Sequence, residues 1–360
     1  MNNELRKKNV LLFTLEYPPF KGGVANYYGN VVKYYKDDIF VLTGKKLLKP
    51  HWIFSLLYLW RVIKKDKINT VLVGHILPLG TVTWLLHKIL KFDYIVFLHG
   101  MDLTFAMKVP RKKQLAVKIL RDAKKVICVN SHVAKLLEDN FSSDIFTKVA
   151  VVNPGIHLRI RNKESGIKNE LIEKYNLTGK KVLLQVGRLV ERKGVDIVLK
   201  AMPKVLQECL DLVYVIIGIG PELKNYELRI TNYELTNNVI LVTDADDEEL
   251  QAWYELCDIF IMPSRDMDGD FEGFGIVYLE ANAHGKPVIG GDSGGVRDAV
   301  KDGVNGLLVN PVSTEEIKNA IVKLYKDDEL RKKLGAQGKE WARKFEWEKQ
   351  VEKIVKLLNC

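Results

Sequence analysis

The sequence predicts an α/β chain with two doubly wound domains, each built on a parallel sheet. With 360 residues, the chain is long enough to form two separate hydrophobic cores. Short apolar runs recur at the spacing of β-α units, with helical stretches between them. Glycine-rich turns follow several of these runs, at the strand ends where ligands bind in such folds.

The first predicted domain covers residues 1–158. A helix over 25–35 follows its first strand, and Ser131 is predicted to cap a second helix over 133–138. The domain is expected to end near 151–156, and the polar stretch 159–168 is typical of a linker. The predicted strands are 9–15, 39–42, 70–73, 94–98, 126–129 and 148–152.

The second predicted domain covers residues 159–340. The last stretch of the chain, 341–360, is predicted to be a helix that carries the aromatic residues Phe345 and Trp347. The predicted strands of the second domain are 181–186, 213–217, 239–242 and 258–262.

Two glutamates follow the apolar run 258–262. Glu272 lies in a Gly-rich loop, and Glu280 lies on the helix that is predicted to begin near Gly275. The backbone N–H groups of the helix start are unpaired donors that suit an anionic phosphate. They belong to Gly273, Phe274, Gly275, Ile276 and Val277. Because carboxylates repel phosphate, the two glutamates must face neutral or cationic groups, and sugar hydroxyls meet that requirement.

Two cations lie on the loop after the strand 181–186. Arg188 and Lys193 are five residues apart in G-R-L-V-E-R-K-G, so both can hold one diphosphate, Arg188 in a bidentate mode. A solvated basic loop is the alternative. The turn that starts at Gly218 is G-I-G-P-E-L, and it lacks the G-x-G-x-x-G pattern of a dinucleotide site because position 223 is Leu.

In the first domain, two turns after predicted strands also carry candidate ligand-binding residues. Gly22 and Gly23 open the helix 25–35, where a ligand can approach the backbone and the first N–H groups are free. A simple tight turn is the alternative. His99 follows the strand 94–98 and therefore points into the crevice at the carboxyl end of a parallel sheet. The alternative there is a capping histidine or a hydrogen-bonded core histidine.

These segments resemble the retaining glycosyltransferases of family 4, which have the GT-B fold. E-G-F-G-I-V-Y-L-E at 272–280 is similar to the Glu-x7-Glu signature of that family. Other similar segments are P-S-R and A-N-A-H-G-K-P-V-I around it, Y-P-P-x-x-G-G at 17–23, H-G-x-D at 99–102, G-R-L-x-x-x-K-G at 187–194 and G-x-G-P-E at 218–222. Two departures are N-P-G-I at 153–156, where P-N-G-V-D is usual, and the lack of a glycine near Thr243.

The resemblance implies an activity and an architecture. The activity is transfer of a hexose from a nucleotide diphosphate sugar, with retention at the anomeric carbon. The architecture is two Rossmann-like domains that face across a cleft, with the last helix, 341–360, packed back on the first domain.

The resemblance also implies roles for single residues. Glu272 and His99 would be the catalytic residues at the donor sugar, and Glu280 would hold the ribose. The residues that would contact the diphosphate or line the base pocket are Gly22, Gly23, Arg188, Lys193 and Gly218.

Two aspartates bear on the choice of base. Asp246 and Glu249 form a capping box, which is the default interpretation. Alternatively, Asp246 and Asp247 could accept hydrogen bonds from guanine N1–H and N2–H₂, donors that uracil lacks. The loop before E-G-F-G and the segment D-S-G-G-V-R-D at 292–298 resemble mannosyltransferases that act on phosphatidylinositol lipids. GDP-mannose is therefore favoured, and a UDP-sugar-dependent glucosyl- or N-acetylglucosaminyltransferase is the alternative.

No metal and no cofactor are expected. The acidic run 266–270 does not fit an EF-hand, because Phe271 occupies the sixth position and Val277 the twelfth. Arg188 and Lys193 would do the work that a metal does in the other glycosyltransferase fold. A flexible acidic loop is predicted for this run instead.

The net charge of +10 is unevenly placed. Residues 1–150 hold 25 Lys and Arg against 11 Asp and Glu, whereas residues 151–360 hold 30 against 34. The first half is therefore expected to approach an anionic membrane or another polyanion. A basic nucleic-acid-binding protein is the alternative class, but no recognition motif supports it, so no nucleic-acid partner is predicted.

The stretch 45–67 has an apolar, aromatic centre between basic flanks. One interpretation is an ordinary core-facing helix. The other is an interfacial helix that is held by aromatic insertion, with Trp52 and Trp60, and by anionic lipid. The basic stretch 108–125 could support the same face, and the expected acceptor is a lipid-linked sugar or a glycan.

Three observations predict where the protein works. Its four cysteines are scattered, without metal-ligand spacing, which indicates a reducing compartment. The N-terminus lacks the apolar run of a signal peptide, and no stretch is long enough to span a membrane. The expected location is the cytoplasm, peripheral at the inner face of the membrane.

Overall fold

The chain forms two compact units. The computed structural model describes residues 9–20, 22–44, 51–158 and 166–359, without the side chains of 51–53. One unit extends to Gly155 and resumes at Trp347, and the other is Ile156–Glu346. The sequence placed the division after residue 158 and the start of the last helix at 341. Residues 45–50 of the aromatic stretch and 159–165 of the predicted linker lie outside the described residues.

The first domain contains a six-stranded parallel sheet in the order β2-β1-β3-β4-β5-β6. Its central strands are apolar and buried on both faces, as a parallel sheet between helices requires. The strands are β1 (Val10–Thr14), β2 (Ile39–Thr43), β3 (Thr70–Val73), β4 (Asp93–Leu98), β5 (Lys125–Cys128) and β6 (Val149–Val151). The helices are α1 (Gly23–Tyr34), α2 (His51–Lys65), α3 (Leu79–Leu90), α4 (Met101–Met107), α5 (Pro110–Asp122), α6 (Ser131–Asn140) and α7 (Ser143–Phe146).

The second domain contains another six-stranded parallel sheet, in the order β12-β11-β10-β7-β8-β9. Its strands are β7 (Lys181–Val186), β8 (Leu212–Ile217), β9 (Val239–Val242), β10 (Ile259–Met262), β11 (Val288–Gly291) and β12 (Gly306–Val309). Its helices are α8 (Gly166–Lys174), α9 (Val195–Leu206), α10 (Leu223–Asn232), α11 (Asp247–Leu256), α12 (Ile276–Ala283), α13 (Val296–Ala299), α14 (Thr314–Lys326) and α15 (Asp328–Ala342). Short 3₁₀ turns occupy Glu191–Lys193 and Arg343–Phe345.

The last helix, α16 (Trp347–Asn359), belongs to the first domain. Its apolar face packs on α1, where the rings of Trp347 and Tyr27 meet edge to face with centroids 5.5 Å apart. Gly155 passes so close to Trp347 that a Cβ would lie 2.5 Å from the indole. The glycine of N-P-G-I therefore admits the helix that completes the first domain's core.

Each sheet contains one point where the direction of winding reverses. β1 lies between β2 and β3 in the first sheet, and β7 lies between β8 and β10 in the second. Loops that leave adjacent strands in opposite directions open a crevice at the carboxyl ends, where ligands bind in doubly wound folds. The functional residues should therefore follow β1 and β3, and β7 and β10.

The doubly wound α/β class is confirmed, and the predicted strands are found within one or two residues of their predicted bounds. β11 and β12 were not predicted as strands. The predicted cap at Ser131 is wrong. Asn130 has the extended backbone of a cap residue, and its side chain accepts from the Val133 N–H at 2.7 Å. Among the described residues, no helix is both long and apolar enough to cross a bilayer.

Candidate functional site

In the second domain, the loops after β7 and β10 carry the predicted diphosphate residues and the first glutamate. Lys193 ends the 3₁₀ turn, and Gly194, with φ of 76°, starts α9. A Cβ at Gly194 would lie 2.3 Å from the carbonyl oxygen of Pro263 on the neighbouring loop. The two loops can therefore touch only because this position is glycine.

Glu272 bonds directly to two cations. Its Oε2 accepts from Lys193 Nζ and, at 2.9 Å, from Arg192 Nη1, and only 8% of the residue is exposed. Burial by itself raises the pKa of Glu272, but Lys193 and Arg192 outweigh it and hold the pKa below its usual range. Glu272 is therefore a fixed carboxylate, facing cationic groups as the sequence required.

Arg188 differs from Lys193 in having no ion-pair partner within the described part of the chain. It is exposed and lines a pocket of about 650 Å³ together with Val186, Ala245, Leu250 and residues 217–221. Gly218 and Gly220 allow this pocket to form. A Cβ on either would lie about 2 Å from the carbonyl oxygen of Gly187 or Leu189. The pocket combines apolar walls with a free guanidinium at its edge.

Glu280 is held by a tyrosine that the sequence did not indicate. The buried Tyr254 hydroxyl donates to Glu280 Oε2 at 2.8 Å, and the Tyr254 ring stacks on His284 with centroids 5.5 Å apart. Burial raises the pKa of Glu280 and outweighs the Tyr254 hydrogen bond, which lowers it, and Asp247 raises it further. The two glutamates of the Glu-x7-Glu pair therefore have opposite electrostatic settings.

The start of α12 offers backbone donors. Gly275 has φ of 79°, and the N–H groups of Gly275, Ile276 and Val277 make no hydrogen bond with any residue that the structure describes. The Phe274 side chain is buried against Phe345, with ring centroids 5.5 Å apart, so only its backbone is available. Gly273 follows Glu272 in the same turn. This arrangement leaves the helix start suited to an anion.

The two aspartates proposed for the base lie at the start of α11. Asp246 is its cap, and Oδ1 accepts from the N–H groups of Glu248 and Glu249 at 2.8 and 2.9 Å. Asp247 is exposed in the first turn. The default interpretation of Asp246 is confirmed, and a role for either residue in base recognition stays a prediction.

Arg265 supports the loop that carries Lys193. Its guanidinium makes two bonds to Asp196, at 2.9 and 3.0 Å, and one to Glu191 at 2.9 Å, and the residue is 8% exposed. Its backbone N–H donates to the carbonyl of Arg192 at 2.8 Å. One arginine therefore ties both ends of the turn that presents Lys193.

The acidic run 266–270 forms a hydrogen-bonded turn, and its predicted flexibility stays a prediction. Met267 and Asp270 exchange backbone hydrogen bonds at 3.1 and 3.0 Å, and Asp270 pairs with Arg192 at 3.1 Å. The ion pair fixes the turn against the loop after β7. No group of three or more potential metal ligands occurs among the residues that the structure describes.

In the first domain, the residues after β1 and β3 meet as the topology requires. His75 Nε2 lies 3.6 Å from Glu16 Oε1, and His75 Nδ1 lies 3.5 Å from Thr14 Oγ1. The predicted Gly22 and Gly23 begin α1 in the same region of chain, and Gly22 has extended backbone. The sequence interpretation missed Glu16 and His75, although each lies two residues after the end of a strand.

His99 follows β4 as predicted, and two contacts fix it. Its Nε2 lies 2.7 Å from the hydroxyl of the buried Tyr28. Asp102 Oδ1 accepts from the N–H groups of His99, Gly100 and Leu103 at 3.0, 2.9 and 2.9 Å, which holds the turn. Burial, with a smaller contribution from His75, lowers the pKa of His99 to about 3. His99 is therefore a neutral group at physiological pH.

Helix α2 combines both interpretations of the aromatic stretch. Leu59 and Ile63 are buried, as in a core-facing helix. Four large apolar side chains on the same helix are between 39% and 59% exposed. They are Phe54, Leu57, Tyr58 and Trp60, and we call them the α2 apolar face. The side chain of Trp52 lies outside the described residues.

Comparison with known proteins gives a family for the second domain. Residues 167–341 match the model of the group 1 glycosyl transferases. The whole chain is similar to a GDP-mannose-dependent α-(1-6)-phosphatidylinositol monomannoside mannosyltransferase of Mycolicibacterium smegmatis, with 26% identity over 97% of this chain and 98% of that protein. An uncharacterized glycosyltransferase of Methanocaldococcus jannaschii is 28% identical over 95% of each chain.

Solved structures share the fold. A glycosyltransferase from Rickettsia africae matches with a TM-score of 0.81 at 19% identity, over 98% of each chain. The Anabaena protein HepE, in complex with UDP, matches with a TM-score of 0.78 at 20% identity, over 98% of this chain and 99% of that one. Residues 167–341 thus match the group 1 glycosyl transferases, and the chain is a glycosyltransferase with the GT-B fold, similar to the enzymes of family 4.

Proposed function

We propose that the protein transfers a hexose, with retention at the anomeric carbon, from a nucleotide diphosphate sugar to a lipid-linked or glycan acceptor. The observation that carries this proposal is the group formed by Lys193, Arg192 and Glu272 where the second sheet reverses. It combines cations for a leaving diphosphate with a carboxylate for a neutral sugar. GDP-mannose is the favoured donor.

The donor site follows from the free groups. Arg188 at the pocket edge would bind the diphosphate in a bidentate mode, and Lys193 would share its charge between Glu272 and the same phosphates. The N–H groups at the start of α12 would add further donors. The apolar pocket would hold the base, and Glu280, oriented by Tyr254, would hold the ribose.

The reaction needs no covalent intermediate. The bond between the anomeric carbon and the β-phosphate oxygen breaks, and its electron pair stays on the phosphate. The acceptor oxygen bonds to the same face of that carbon, and its proton passes to the leaving phosphate. Arg188 and Lys193 would stabilise the growing negative charge, and Glu272 would stabilise the positive charge on the sugar. We expect no metal to be required.

Two nucleotides compete as the donor base. GDP-mannose is favoured by the mannosyltransferase relatives and by the exposed Asp247 beside the pocket residues. A UDP-sugar is the second candidate, because HepE, which shares the fold, was solved with UDP and with UDP and glucose. Calorimetric titration with GDP and UDP decides between them, since the preferred base should bind more tightly.

The α2 apolar face supports an acceptor at a membrane surface. Four large apolar side chains of α2 are exposed, and basic Arg61, Lys64 and Lys65 follow them on the same helix. Aromatic insertion combined with anionic lipid gives reversible binding. We therefore propose peripheral association with the anionic cytoplasmic face of the membrane.

The test is a transfer assay with the full chain. GDP-mannose, UDP-glucose and UDP-N-acetylglucosamine, each radiolabelled in the sugar, are incubated with phosphatidylinositol vesicles and with phosphatidylcholine vesicles. The proposal expects label in the lipid phase from GDP-mannose with phosphatidylinositol only. Label in the lipid phase from a UDP-sugar would mean that this UDP-sugar, and not GDP-mannose, is the donor. If no sugar reaches any lipid or added glycan acceptor, the proposed transfer is wrong.

A further inference from the structure

We infer that Tyr28 is a positioning residue that holds His99 as the Nε2–H tautomer, so that His99 meets its ligand as a hydrogen-bond acceptor through Nδ1. Both residues lie in the first domain. Two hydrogen atoms determine this tautomer, the hydroxyl proton of Tyr28 and the ring proton of His99.

The hydroxyl of Tyr28 has two neighbours and one proton. It lies 3.0 Å from the carbonyl oxygen of Gly74 and 2.7 Å from His99 Nε2. A carbonyl oxygen can only accept, so the Tyr28 proton must go to Gly74. The Tyr28 oxygen must then accept from His99, which places a proton on Nε2. A neutral imidazole carries one ring proton, so Nδ1 has a free lone pair.

The ring cannot easily adopt another arrangement. Tyr28 and Tyr27 both contact it edge to face, with centroids 5.3 and 5.5 Å away. Asp102 fixes the backbone of His99 by three N–H bonds. Burial keeps the imidazole neutral, since it lowers the pKa of His99 to about 3. No group in the described part of the chain bonds to Nδ1.

This tautomer selects the chemistry of the ligand. A lone pair on Nδ1 accepts from a hydroxyl and repels a phosphate or carboxylate oxygen, which an imidazolium would attract. If the proposed function holds, the partner is a hydroxyl group of the donor sugar. The orientation of that hydroxyl is then fixed through Tyr28 by the carbonyl of Gly74.

The tautomer is measured directly by ¹⁵N–¹H correlation spectra of the histidine rings at neutral pH. The chain has seven histidines, so the His99→Gln variant identifies the signals of His99. We expect a protonated Nε2 and a bare Nδ1 in the wild type. A proton on Nδ1, or on both nitrogens, would overturn the inference, even if the Tyr28 variant failed to fold.

Two tyrosine variants separate the hydroxyl from the ring. Tyr28→Phe keeps the aromatic contact and should give a mixture of His99 tautomers. Tyr27→Phe is the matched control, because Tyr27 touches the same ring but its hydroxyl donates to the carbonyl of Val152, at 3.3 Å. It should leave the tautomer unchanged. A single, unchanged tautomer in Tyr28→Phe would show that Tyr28 does not set it.

Kinetics test the acceptor role. With the donor identified by the transfer assay, kcat/KM should fall roughly tenfold in Tyr28→Phe, with unchanged affinity for the nucleoside diphosphate. Unchanged kcat/KM despite mixed tautomers would overturn the acceptor role. If the wild type transfers no sugar, the proposed function fails while the spectra still decide the tautomer.

Discussion

The two sheets of this glycosyltransferase reverse at similar places, but the side chains that are fixed near those places differ in charge between the two domains. In the second domain, Glu272 is an ionised carboxylate between Arg192 and Lys193. In the first domain, the fixed pair next to the reversal is uncharged, with Tyr28 of α1 bonded to the neutral His99, which follows β4, the neighbour of β3. The backbone topology provides a crevice in both cases, and the side chains at the strand ends decide what each can bind.

The difference matches what each domain would handle. A leaving diphosphate gains negative charge during the reaction, so fixed cations stabilise it where the charge develops. Sugar hydroxyls are neutral, so a preset acceptor orients them without a change of charge. The charged site is accompanied by further ion pairs next to the loop that carries Lys193. In these, Arg265 pairs with both Asp196 and Glu191.

The largest expected effect is a loss of unfolding free energy when the ion pairs of Arg265 are broken. Arg265→Met leaves the buried Asp196 without its partner, and removing one member of a buried pair costs about 3–5 kcal/mol. Arg297→Met is the control, because Arg297 and Asp292 form an exposed pair, worth about 0–1 kcal/mol. Urea unfolding measures both. If both variants lose the same small amount of unfolding free energy, the ion pairs of Arg265 do not stabilise the second domain.

The next effect separates catalysis from binding. Glu272→Gln should lower kcat about 100- to 1000-fold, because it removes charge that stabilises the sugar at the transition state. The nucleoside diphosphate should still bind, since Lys193 and Arg192 remain. Asp270→Asn, which changes only the exposed partner of Arg192, should retain most activity. Full activity of Glu272→Gln in the transfer assay would remove Glu272 from the catalytic residues.

Lys193→Ala tests the diphosphate contact alone. Loss of a charge-assisted hydrogen bond should weaken GDP binding by about 1.5–3 kcal/mol. GMP, which lacks the β-phosphate, should lose less. Lys204→Ala is the control, because Lys204 is exposed and its ion pair with Glu315 is long, at 3.9 Å. Calorimetry that gives the same affinity for GDP in wild type and Lys193→Ala would exclude Lys193 from the diphosphate site.

The two glutamates should respond oppositely to pH. The pKa of Glu272 is lowered in the folded state, so its stabilising contribution is present at neutral pH and is lost as pH falls through that pKa. The pKa of Glu280 is raised by burial, so its ionisation opposes folding, and stability is lost as pH rises through that pKa. At neutral pH, Glu272→Gln should lower Tm and Glu280→Gln should raise it. Shifts of the same sign would contradict this assignment.

The smallest expected effect concerns the membrane. Leu57→Ala combined with Trp60→Ala should weaken flotation with anionic vesicles, because it removes two exposed side chains of the α2 apolar face. Each basic residue near the surface adds about 1 kcal/mol and is screened by salt, so binding should also fall as ionic strength rises. Unchanged flotation of a folded double variant would exclude this face. Leu59→Ala, at a buried position of the same helix, should instead lower Tm.

The sequence predicted most of what local pattern controls. Buried apolar runs indicated ten of the strands, and the glycine turns after them indicated Arg188, Lys193 and both glutamates. β11 and β12 were not predicted, because the glycines of Val288–Gly291 and Gly306–Val309 shorten the apolar run of each strand to two or three residues. Asn130 and Ser131 are both good caps, and only backbone conformation decides between them.

Partners that are distant in sequence could not be predicted. By sequence pattern, Tyr28 and Tyr254 are typical core residues. Only the fold brings their hydroxyls into hydrogen-bond contact with His99 and Glu280. Arg192 was visible beside Lys193 in G-R-L-V-E-R-K-G, but its contact with Glu272 spans 80 residues of chain. The ion pair between Arg192 and Asp270 of the acidic turn likewise joins residues that are far apart in sequence.

The most direct test of the account is the stereochemistry of transfer in the presence of EDTA. The product of the reaction with the preferred nucleotide sugar is collected, and the configuration of the new linkage is determined by NMR of its anomeric proton and carbon. The account predicts full activity without metal and a linkage with the same anomeric configuration as the donor. An inverted linkage, or activity that returns only when Mg²⁺ or Mn²⁺ is added, would contradict it.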